Sequence, residues 1–422
     1  MKNLFVICLL FFSIEGKSQL YFPPLTGNNW DTLSPASLGW CQPSIDSLYS
    51  YLQQTNTKAF IILKDGKIVL EKYFGTFTAD SVHYWASAGK SLTAVLTGIA
   101  AEQGLININN PVSNYLGSGW SSAPLAKENM ISLRNLLCMT SGFDDSPPAP
   151  CDNESTNAAC LQYLADTGQR WAYHTGAYQQ LQGVISAASG MTMNAYTNAN
   201  VNAHIGMAGL WVNGVYYSKA RSMARFGLMA LNKGVWANDT LIHNSSYWNA
   251  MTNTSQQYNN AYGYLWWLNG KSSFMSPGLQ FVFNGSLIPN APDDMFAALG
   301  KNDQKIYVVP SRNMVVIRTG ESAYGVALAF SPFDDRLWGK IDSLGYNCNY
   351  TFTGNGNLDV PTNWANQLIP PTVLQNEATI TIQPITGGEC VLNREQTIMQ
   401  GAHLIIPANV KFRILGNLSM SQ

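Results

Sequence analysis

The hydrophobic pattern of this 422-residue chain changes its period twice, and the order of the changes limits the folds open to it. Residues 58–75, KAFIILKDGKIVLEKYFG, place two β-branched runs around Asp65-Gly66, a pair that supplies the positive φ angles of a tight hairpin turn. From about residue 81 to 255, apolar residues recur at helical spacing, as in SLTAVLTGIAAEQGL. From Tyr262, short strand-like runs return, including MFAALG, KIYVVP and MVVIRTG. Strands on both sides of a large helical region predict an α+β fold whose antiparallel sheet combines both ends of the segment.

Two further segments frame this sheet. PSIDSLYSYLQQT has apolar residues at helical spacing before the hairpin, and AYGVALAFSPFDDRLWGKIDSLG predicts a closing helix interrupted near Pro332. We therefore expect terminal helices to flank the sheet in one domain over residues 19–345. Beyond Tyr346 the chain turns Gly/Asn/Pro-rich and then β-patterned, which predicts a separate small β domain over residues 346–422.

The first residues are typical of an export signal. Lys2 precedes an apolar run from Leu4 to Phe12, which is far shorter than the roughly 20 residues that span a bilayer. We interpret residues 1–18 as a signal peptide, the alternative being a buried N-terminal strand. The sequence thus predicts a secreted, periplasmic or cell-surface protein, and no later segment is long and apolar enough to be a transmembrane span.

The cysteines fit an oxidising compartment. Cys8 lies in the predicted signal, and six cysteines remain in the mature chain. Cys151 and Cys160 flank a polar loop in which a short bridge is plausible, and Cys348 could pair with Cys390. Cys138, in RNLLCMTSG, is expected to be a small core residue.

The composition argues against several classes of function. Charged residues make up 12% of the chain, about half of the usual fraction of about 25%, and the net charge is −1. No basic footprint for nucleic acid or anionic lipid is therefore present. The five histidines are scattered and no Cys/His group has metal-ligand spacing, so neither a metal site nor another cofactor is expected.

The stretch YWASAGKSLTA, residues 84–94, admits two chemistries. Its GKS resembles the end of a phosphate-binding loop, but such a loop needs a glycine where this chain has Tyr84, with Trp85 next to it. Its SAGK has the Ser-x-x-Lys spacing of acylating serine enzymes, because Lys90 lies one helical turn after Ser87 and returns to the same face. On spacing alone, an ordinary helix-capping Ser87 and a surface Lys90 remain the alternative.

The surroundings of this stretch resemble a known family. The segments SAGKSLTAVLTGIAAEQGLININNPVSNYLG, ISLRNLLCMTSGFDD, RWAYHTGAYQQL, SMARFGLMAL and YGYLWWL occur in the order typical of the serine β-lactamase-like superfamily. That superfamily includes class C β-lactamases, DD-peptidases, related esterases and nylon-oligomer hydrolases. The resemblance covers roughly Ser44 to Leu344 and implies its β-lactamase/transpeptidase-like fold. It does not cover the C-terminal β region.

The resemblance implies roles for three residues. Ser87 would be the nucleophile, Lys90 its base, and Tyr173 the phenol that shuttles a proton to the leaving group with Lys90. The alternative for Tyr173 is a core or rim aromatic. The third position of the Y-x-N motif is Thr175 here, and threonine lacks the paired donor and acceptor of an amide. This departure puts β-lactam recognition in doubt.

The last family motif, K-T-G, is absent. By order, ALGKNDQKIYVVP takes its place, and Gly300 and Gln304 resemble the glycine and glutamine of the oligomer-hydrolase branch. A backbone N–H between Gly300 and Ile306 would complete an oxyanion hole with that of Ser87. Lys301 would either add positive charge to the pocket or be a solvated turn residue. GKSS, residues 270–273, is expected only in a hairpin turn.

The expected function is a secreted serine hydrolase that forms an acyl-enzyme on Ser87 and hydrolyses an ester or amide bond of a small molecule or peptide. One alternative is β-lactamase or DD-peptidase activity. Another is a non-catalytic peptide- or glycan-binding protein, because the second motif is altered and K-T-G is missing.

Overall fold

The computed structural model describes residues 20–326, 328–345, 348–367, 369–375 and 378–421. The predicted signal peptide and residue 346, at which the C-terminal domain is predicted to begin, lie outside these ranges. Within them, no helix has the length and apolar character needed to cross a membrane.

Most helices lie in the middle of the chain. They are α1 (Gln42–Gln54), α2 (Gly89–Glu102), α3 (Ser113–Leu116), α4 (Leu125–Glu128), α5 (Leu133–Leu137), α6 (Thr175–Ser189), α7 (Met193–Thr197), α8 (Ala203–Ile205), α9 (Ala220–Leu231), α10 (Ser245–Met251) and α11 (Pro332–Asp342). Short 3₁₀ turns include Ala86–Ala88 and Lys301–Asp303.

The strands up to residue 320 are β1 (Thr57–Lys64), β2 (Lys67–Tyr73), β3 (Val82–Tyr84), β4 (Gly209–Val212), β5 (Val215–Lys219), β6 (Val235–Trp236), β7 (Asp239–Thr240), β8 (Trp267–Leu268), β9 (Ser273–Met275), β10 (Val282–Asn284), β11 (Phe296–Gly300), β12 (Gln304–Val309) and β13 (Met314–Gly320). Six of them form the central sheet in the order β2-β1-β13-β12-β11-β8, with antiparallel pairing throughout. The predicted α+β fold is confirmed, since strands from both sides of the helical region share this sheet.

Helices cover both faces of the sheet. Side chains alternate along β12 and β13, so that Ile306 and Val315 meet α9 at Gly227, whereas Lys305 and Tyr307 bond to Asp334 of α11. Strands β12 and β13 are therefore buried along their whole length. Two covered faces explain why these strands read as continuous apolar runs.

Two parts of the prediction differ from the structure. The closing helix α11 begins only at Pro332, because Ser331 forms a capping box with Asp334; residues 323–326 and 328–330 before it are not helical. The region 81–255 is also not wholly helical, since β3, β5 and β4 form a three-stranded sheet within it. Its hairpin turns at Asn213-Gly214, both with positive φ. This Asn-Gly pair was the missed signal.

In the C-terminal region, the described residues form nine short strands, namely β14 (Asn349–Phe352), β15 (Gly356–Asn357), β16 (Val373–Leu374), β17 (Thr379–Ile382), β18 (Glu389–Leu392), β19 (Gln396–Ile398), β20 (His403–Ile405), β21 (Lys411–Ile414) and β22 (Leu418–Met420). They form three parallel ladders, β14-β17-β20, β15-β18-β21 and β16-β19-β22. The chain visits the three ladders in turn, which makes this region a parallel β-helix of three rungs. A division into independently folding domains stays a prediction.

The disulfides confirm one predicted pairing and correct the other. Cys151 is bonded to Cys160, as expected. Cys348 is bonded to Cys41 rather than to Cys390, which is a free and buried residue of the β-helix core. The bridge therefore joins the segment before α1 to the start of the β-helix, two places that the sequence separates by 307 residues.

Candidate active site

Ser87 lies on the 3₁₀ turn that connects β3 to α2. The turn is anchored at Trp85, whose backbone N–H donates to the carbonyl of Tyr216 (2.8 Å) and whose indole N–H donates to Ser218 Oγ (2.8 Å). Ala86, directly before Ser87, has a φ of 48°, an unusual conformation for a residue with a side chain. The expected position of Ser87 at the start of this helical segment agrees with the structure, but Ser87 does not cap α2.

Lys90 is buried beside Ser87, which excludes the surface-lysine alternative. Its Nζ lies 2.8 Å from Ser87 Oγ and 3.1 Å from Thr175 Oγ1, and its side chain is 2% exposed. The rings of Tyr173 and Tyr178 lie over the ammonium group at 4.8 and 4.3 Å from their centroids. Burial lowers the pKa of Lys90 to about 7, an effect that Glu154 opposes. A substantial fraction of this lysine is thus neutral at physiological pH and has a lone pair for a proton.

Tyr173 contributes both its ring and its hydroxyl to this cluster. Its ring stacks on Trp267 with the centroids 5.8 Å apart, and the ring of Trp171 lies tilted beside it at 6.2 Å. Burial raises the pKa of Tyr173, and the proximity of Ser87 opposes this rise. Among the described side chains, the buried hydroxyl has no hydrogen-bond partner of good geometry. The phenol is therefore protonated and close to Ser87, with its O–H available.

The start of helix α6 brings Thr175 to Lys90. His174 caps the helix, since its Nδ1 accepts the N–H of Ala177 at 3.2 Å, and burial lowers the pKa of His174 to about 4. This histidine is neutral and its ring supports the helix. Thr175 at the following position accepts a hydrogen bond from Lys90, so its hydroxyl belongs to the lysine network.

The loop closed by the Cys151–Cys160 disulfide packs on this helix start. Gly176 N–H donates to the carbonyl of Asn153 at 2.7 Å. A Cβ on Gly176 would lie only 1.9 Å from the carbonyl oxygen of Ser155, so the close approach requires glycine. The loop is thereby fixed directly beside Thr175.

This loop also carries an acidic residue to the site. Glu154 forms an ion pair with Lys301 (3.0 Å), and both side chains are about half exposed, at 58% and 45%. The charge of Glu154 raises the pKa of Lys90, and that of Lys301 lowers it. Lys301 therefore lies in the electrostatic neighbourhood of Lys90, and its ion-pair partner Glu154 was not predicted from the sequence.

The end of strand β11 abuts the Ser87 turn. A Cβ on Gly300 would lie 2.4 Å from the carbonyl oxygen of Trp85 and 3.0 Å from the backbone nitrogen of Ala88. Any larger residue at Gly300 would push the strand away from the turn. This contact places backbone groups of the strand end and of Ser87 beside one another, as an oxyanion hole requires.

Gln304 holds the turn after Gly300 in place. Its Nε2 donates to the carbonyls of Asn302 (2.9 Å) and Gly320 (2.6 Å), and its Oε1 accepts from Thr319 Oγ1 at 2.7 Å. The side chain is fully buried, so the structure gives it a positioning contact. Any substrate contact of Gln304 remains a prediction.

A buried ionic cluster supports the same turn from the other side. Asn302 and Asp303 both have positive φ, at 59° and 60°. Asp303 accepts hydrogen bonds from Ala323 N–H (2.9 Å) and Ser331 Oγ (2.8 Å), and forms an ion pair with Lys305 at 3.3 Å. These bonds hold the turn in a backbone conformation that is otherwise unfavourable.

The structure thus places six predicted residues near Ser87, near Lys90 or at the strand end that contacts the Ser87 turn. They are Lys90, Tyr173, Thr175, Gly300, Lys301 and Gln304. Two further residues of the site, Glu154 and Tyr178, were not predicted from the sequence. Tyr178 was open to prediction, since it lies one helical turn after Thr175 in the region where apolar residues recur at helical spacing. Glu154 had no local signal beyond its place between two cysteines. Across the described residues, no group of three His, Cys, Asp or Glu side chains could hold a metal ion.

The central sheet, the helical region and the Ser-Lys-Tyr cluster define the class of serine hydrolases with a β-lactamase-type fold. The chain belongs to the Beta-lactamase family, whose model matches residues 46–327.

Solved structures share this fold at low identity. A putative β-lactamase from Bacteroides dorei is 17% identical, with a TM-score of 0.57 over 72% of this chain and 99% of its own. A putative 6-aminohexanoate-dimer hydrolase from Bacillus anthracis is 18% identical, with a TM-score of 0.56 over 77% and 88%. A family VIII carboxylesterase is 14% identical, with a TM-score of 0.53 over 72% and 98%.

Proposed function

We propose that this protein is an exported serine hydrolase that forms an acyl-enzyme on Ser87 and hydrolyses an ester or amide bond. The observation that carries the proposal is the 2.8 Å contact between Ser87 Oγ and the buried amine of Lys90, whose pKa is lowered to about 7. A neutral amine at this distance is what a serine hydroxyl needs to become a nucleophile at neutral pH.

In the proposed first step, Lys90 accepts the Ser87 proton while Oγ attacks the substrate carbonyl carbon. The resulting oxyanion would be stabilised by the N–H of Ser87 and by an N–H between Gly300 and Ile306. The contact of Gly300 with the Ser87 turn supports this arrangement.

Collapse of the tetrahedral intermediate would break the bond to the leaving group, which takes a proton relayed through Tyr173 and Lys90. The buried hydroxyl of Tyr173 and its ring contact with Lys90 support this role. A water molecule would then attack the ester formed on Ser87 while Lys90 accepts a proton from it. Lys90 returns this proton to Ser87 Oγ as the ester bond breaks and the acid leaves.

Ester or amide substrates are favoured over β-lactams because Thr175 occupies the amide position of the family motif. Its hydroxyl already accepts a hydrogen bond from Lys90 and presents no paired donor and acceptor to a substrate. Export is supported by two disulfides and by the predicted signal peptide.

The proposal is tested by intact-protein mass spectrometry after incubation with a fluorophosphonate and with a panel of p-nitrophenyl esters, anilides and a chromogenic cephalosporin. We expect a single covalent adduct that maps to Ser87 and is absent from Ser87→Ala protein. A folded wild-type protein that forms no adduct and turns over no member of the panel would contradict the proposal.

A further inference from the structure

A row of aromatic rings leads from the candidate active site to the protein surface. Successive ring centroids along it lie 4.8 to 5.8 Å apart, each ring touching the next. We call it the aromatic row, and its members in order are Tyr173, Trp267, Phe330, Phe274, Phe283 and Phe281. The row begins at the residue whose hydroxyl lies beside Ser87 and ends in solvent.

The outer end of the row is exposed and apolar. Phe281 is 62% exposed, and its neighbours Leu279 and Val282 are 49% and 46% exposed. These three residues lie within four positions at the tip of the β9–β10 hairpin. Single exposed apolar residues are common, but three of them together, joined by ring contacts to a candidate active site, favour a binding surface.

The hairpin is fixed beside the site by polar contacts. Gln280 Nε2 donates to the carbonyl of Trp171 at 3.0 Å, two residues before Tyr173. At the other side of the hairpin, Asn259 accepts from Met275 N–H at 3.1 Å and donates to the Met275 carbonyl at 3.3 Å. The apolar tip therefore has a defined position relative to Tyr173.

The hairpin carries almost no charge. The segment 272–285, SSFMSPGLQFVFNG, contains no Asp, Glu, Lys or Arg. An anionic lipid surface or a charged ligand would find no complementary group there. An uncharged apolar group of a substrate is the ligand that this surface suits.

We propose that the aromatic row is the subsite for an uncharged alkyl or aryl chain of the ester or amide substrate. This inference rests on the proposed function, which places the scissile carbonyl at Ser87. The chain extends from that carbonyl past Tyr173 and Trp267 and along Phe330 and Phe274 towards the hairpin tip. The protein then prefers long, apolar acyl or alcohol groups over acetyl groups.

The first test compares hydrolysis of p-nitrophenyl acetate, butyrate, hexanoate and octanoate. Full burial of a methylene group corresponds to about fourfold in affinity, so burial of about half of each methylene gives about twofold in kcat/KM per methylene. The double variant Leu279→Ser/Phe281→Ser removes most of this rise, so that octanoate hydrolysis falls far more than acetate hydrolysis. The control Ile385→Ser, at a residue of the β-helix that is 57% exposed, leaves the whole series unchanged.

A binding measurement separates this inference from the proposed hydrolysis. Saturation-transfer NMR with Ser87→Ala protein should show binding of methyl octanoate but not of methyl butyrate, and the hairpin double variant should lose it. If methyl octanoate binds to the Ser87→Ala protein but the wild-type protein hydrolyses no ester, the apolar subsite is supported and the hydrolase proposal fails.

If the wild-type protein hydrolyses the acetate but its kcat/KM does not rise with chain length, the subsite proposal is overturned and the hydrolase proposal is not. The absence of octanoate binding also overturns the subsite proposal, and so does binding to phosphatidylcholine vesicles that depends on Phe281 while the chain-length profile is flat, since the tip would then contact a membrane.

Discussion

The sheet-and-helix body (residues 20–345) and the β-helix (residues 349–420) are built from contacts of different range. In the body, β1 pairs with β13, so that Thr57 lies opposite Gly320. In the β-helix, neighbouring rungs pair residues that are close along the chain, as in Thr379 with His403. Pairing between distant parts of a chain can bring residues of different chemistry to one place. Stacking of repeats instead places similar residues next to one another in successive rungs.

The two regions also differ in what they bury. The body buries charged side chains, among them Lys90, Asp303, Lys305 and Arg318. In the part of the β-helix that the structure describes, Gln396 is the one buried polar side chain. Buried ionisable groups are costly and occur where their altered chemistry is used or where a turn must be fixed. We therefore expect activity to depend on the body and the β-helix to be separable from it.

The largest effect should follow from Ser87→Ala. Removal of a proposed nucleophile lowers kcat/KM by at least about 10⁴-fold, without loss of thermal stability, because one small side chain changes. Steady-state kinetics with the best ester of the panel and differential scanning calorimetry measure both. Ser419→Ala in the β-helix is the matched control and should be fully active. Equal activity of the two variants would contradict the expectation that activity depends on the body.

Phe352→Ala should separate stability from activity. Phe352 is fully buried in the β-helix core against Trp364, and truncation of a core phenylalanine destabilises by about 3–5 kcal/mol. Urea unfolding monitored by tryptophan fluorescence should show an earlier transition of the β-helix, while kcat/KM below that transition stays at the wild-type value. A parallel loss of activity would mean that the two regions act as one unit.

Gly300→Ala should reduce activity more than stability. The new Cβ would lie 2.4 Å from the Trp85 carbonyl, so the strand end must move away from the Ser87 turn. A displacement of this kind can lower kcat/KM by about 10²-fold. Gly183→Ala is the control, since its nearest contact is an ordinary 3.6 Å to Leu116. Wild-type kcat/KM in Gly300→Ala would exclude this strand end from the oxyanion hole.

The smallest effects concern the Glu154–Lys301 pair. Glu154 raises the pKa of Lys90 and Lys301 lowers it, so Glu154→Gln should lower that pKa and Lys301→Gln should raise it. If neutral Lys90 is the base, activity falls as pH decreases through its pKa. The acid limb of kcat/KM should then move to lower pH in Glu154→Gln and to higher pH in Lys301→Gln. Both shifts should be small, because the two side chains are solvated.

The same pH profiles measured at high ionic strength provide a further check, because salt screens the two charges and both shifts should become smaller. Shifts in the same direction in the two variants, or none in either, would argue against Lys90 as the titrating base.

Local patterns in the sequence predicted much of the body. The Asp65-Gly66 hairpin, helices α2, α6 and α9, and the strands β11 to β13 follow from period and turn chemistry. The β-helix was predicted only as β-rich, because its strands are two to four residues long and its rungs are imperfect repeats. Comparing TITI with HLII, and ECVL with KFRI, would have shown the repeat.

The sequence by itself determined the spacing of Ser87 and Lys90, because two residues three apart on a helical segment must share a face. Only the tertiary structure decided that Lys90 is buried, that Thr175 contacts Lys90, and that Gly300 lies against the Ser87 turn. The same holds for the pairing of Cys41 with Cys348 and for the Glu154–Lys301 contact. The physical reason is that pKa shifts and close contacts arise from burial among residues distant in sequence, and local spacing carries no information about burial.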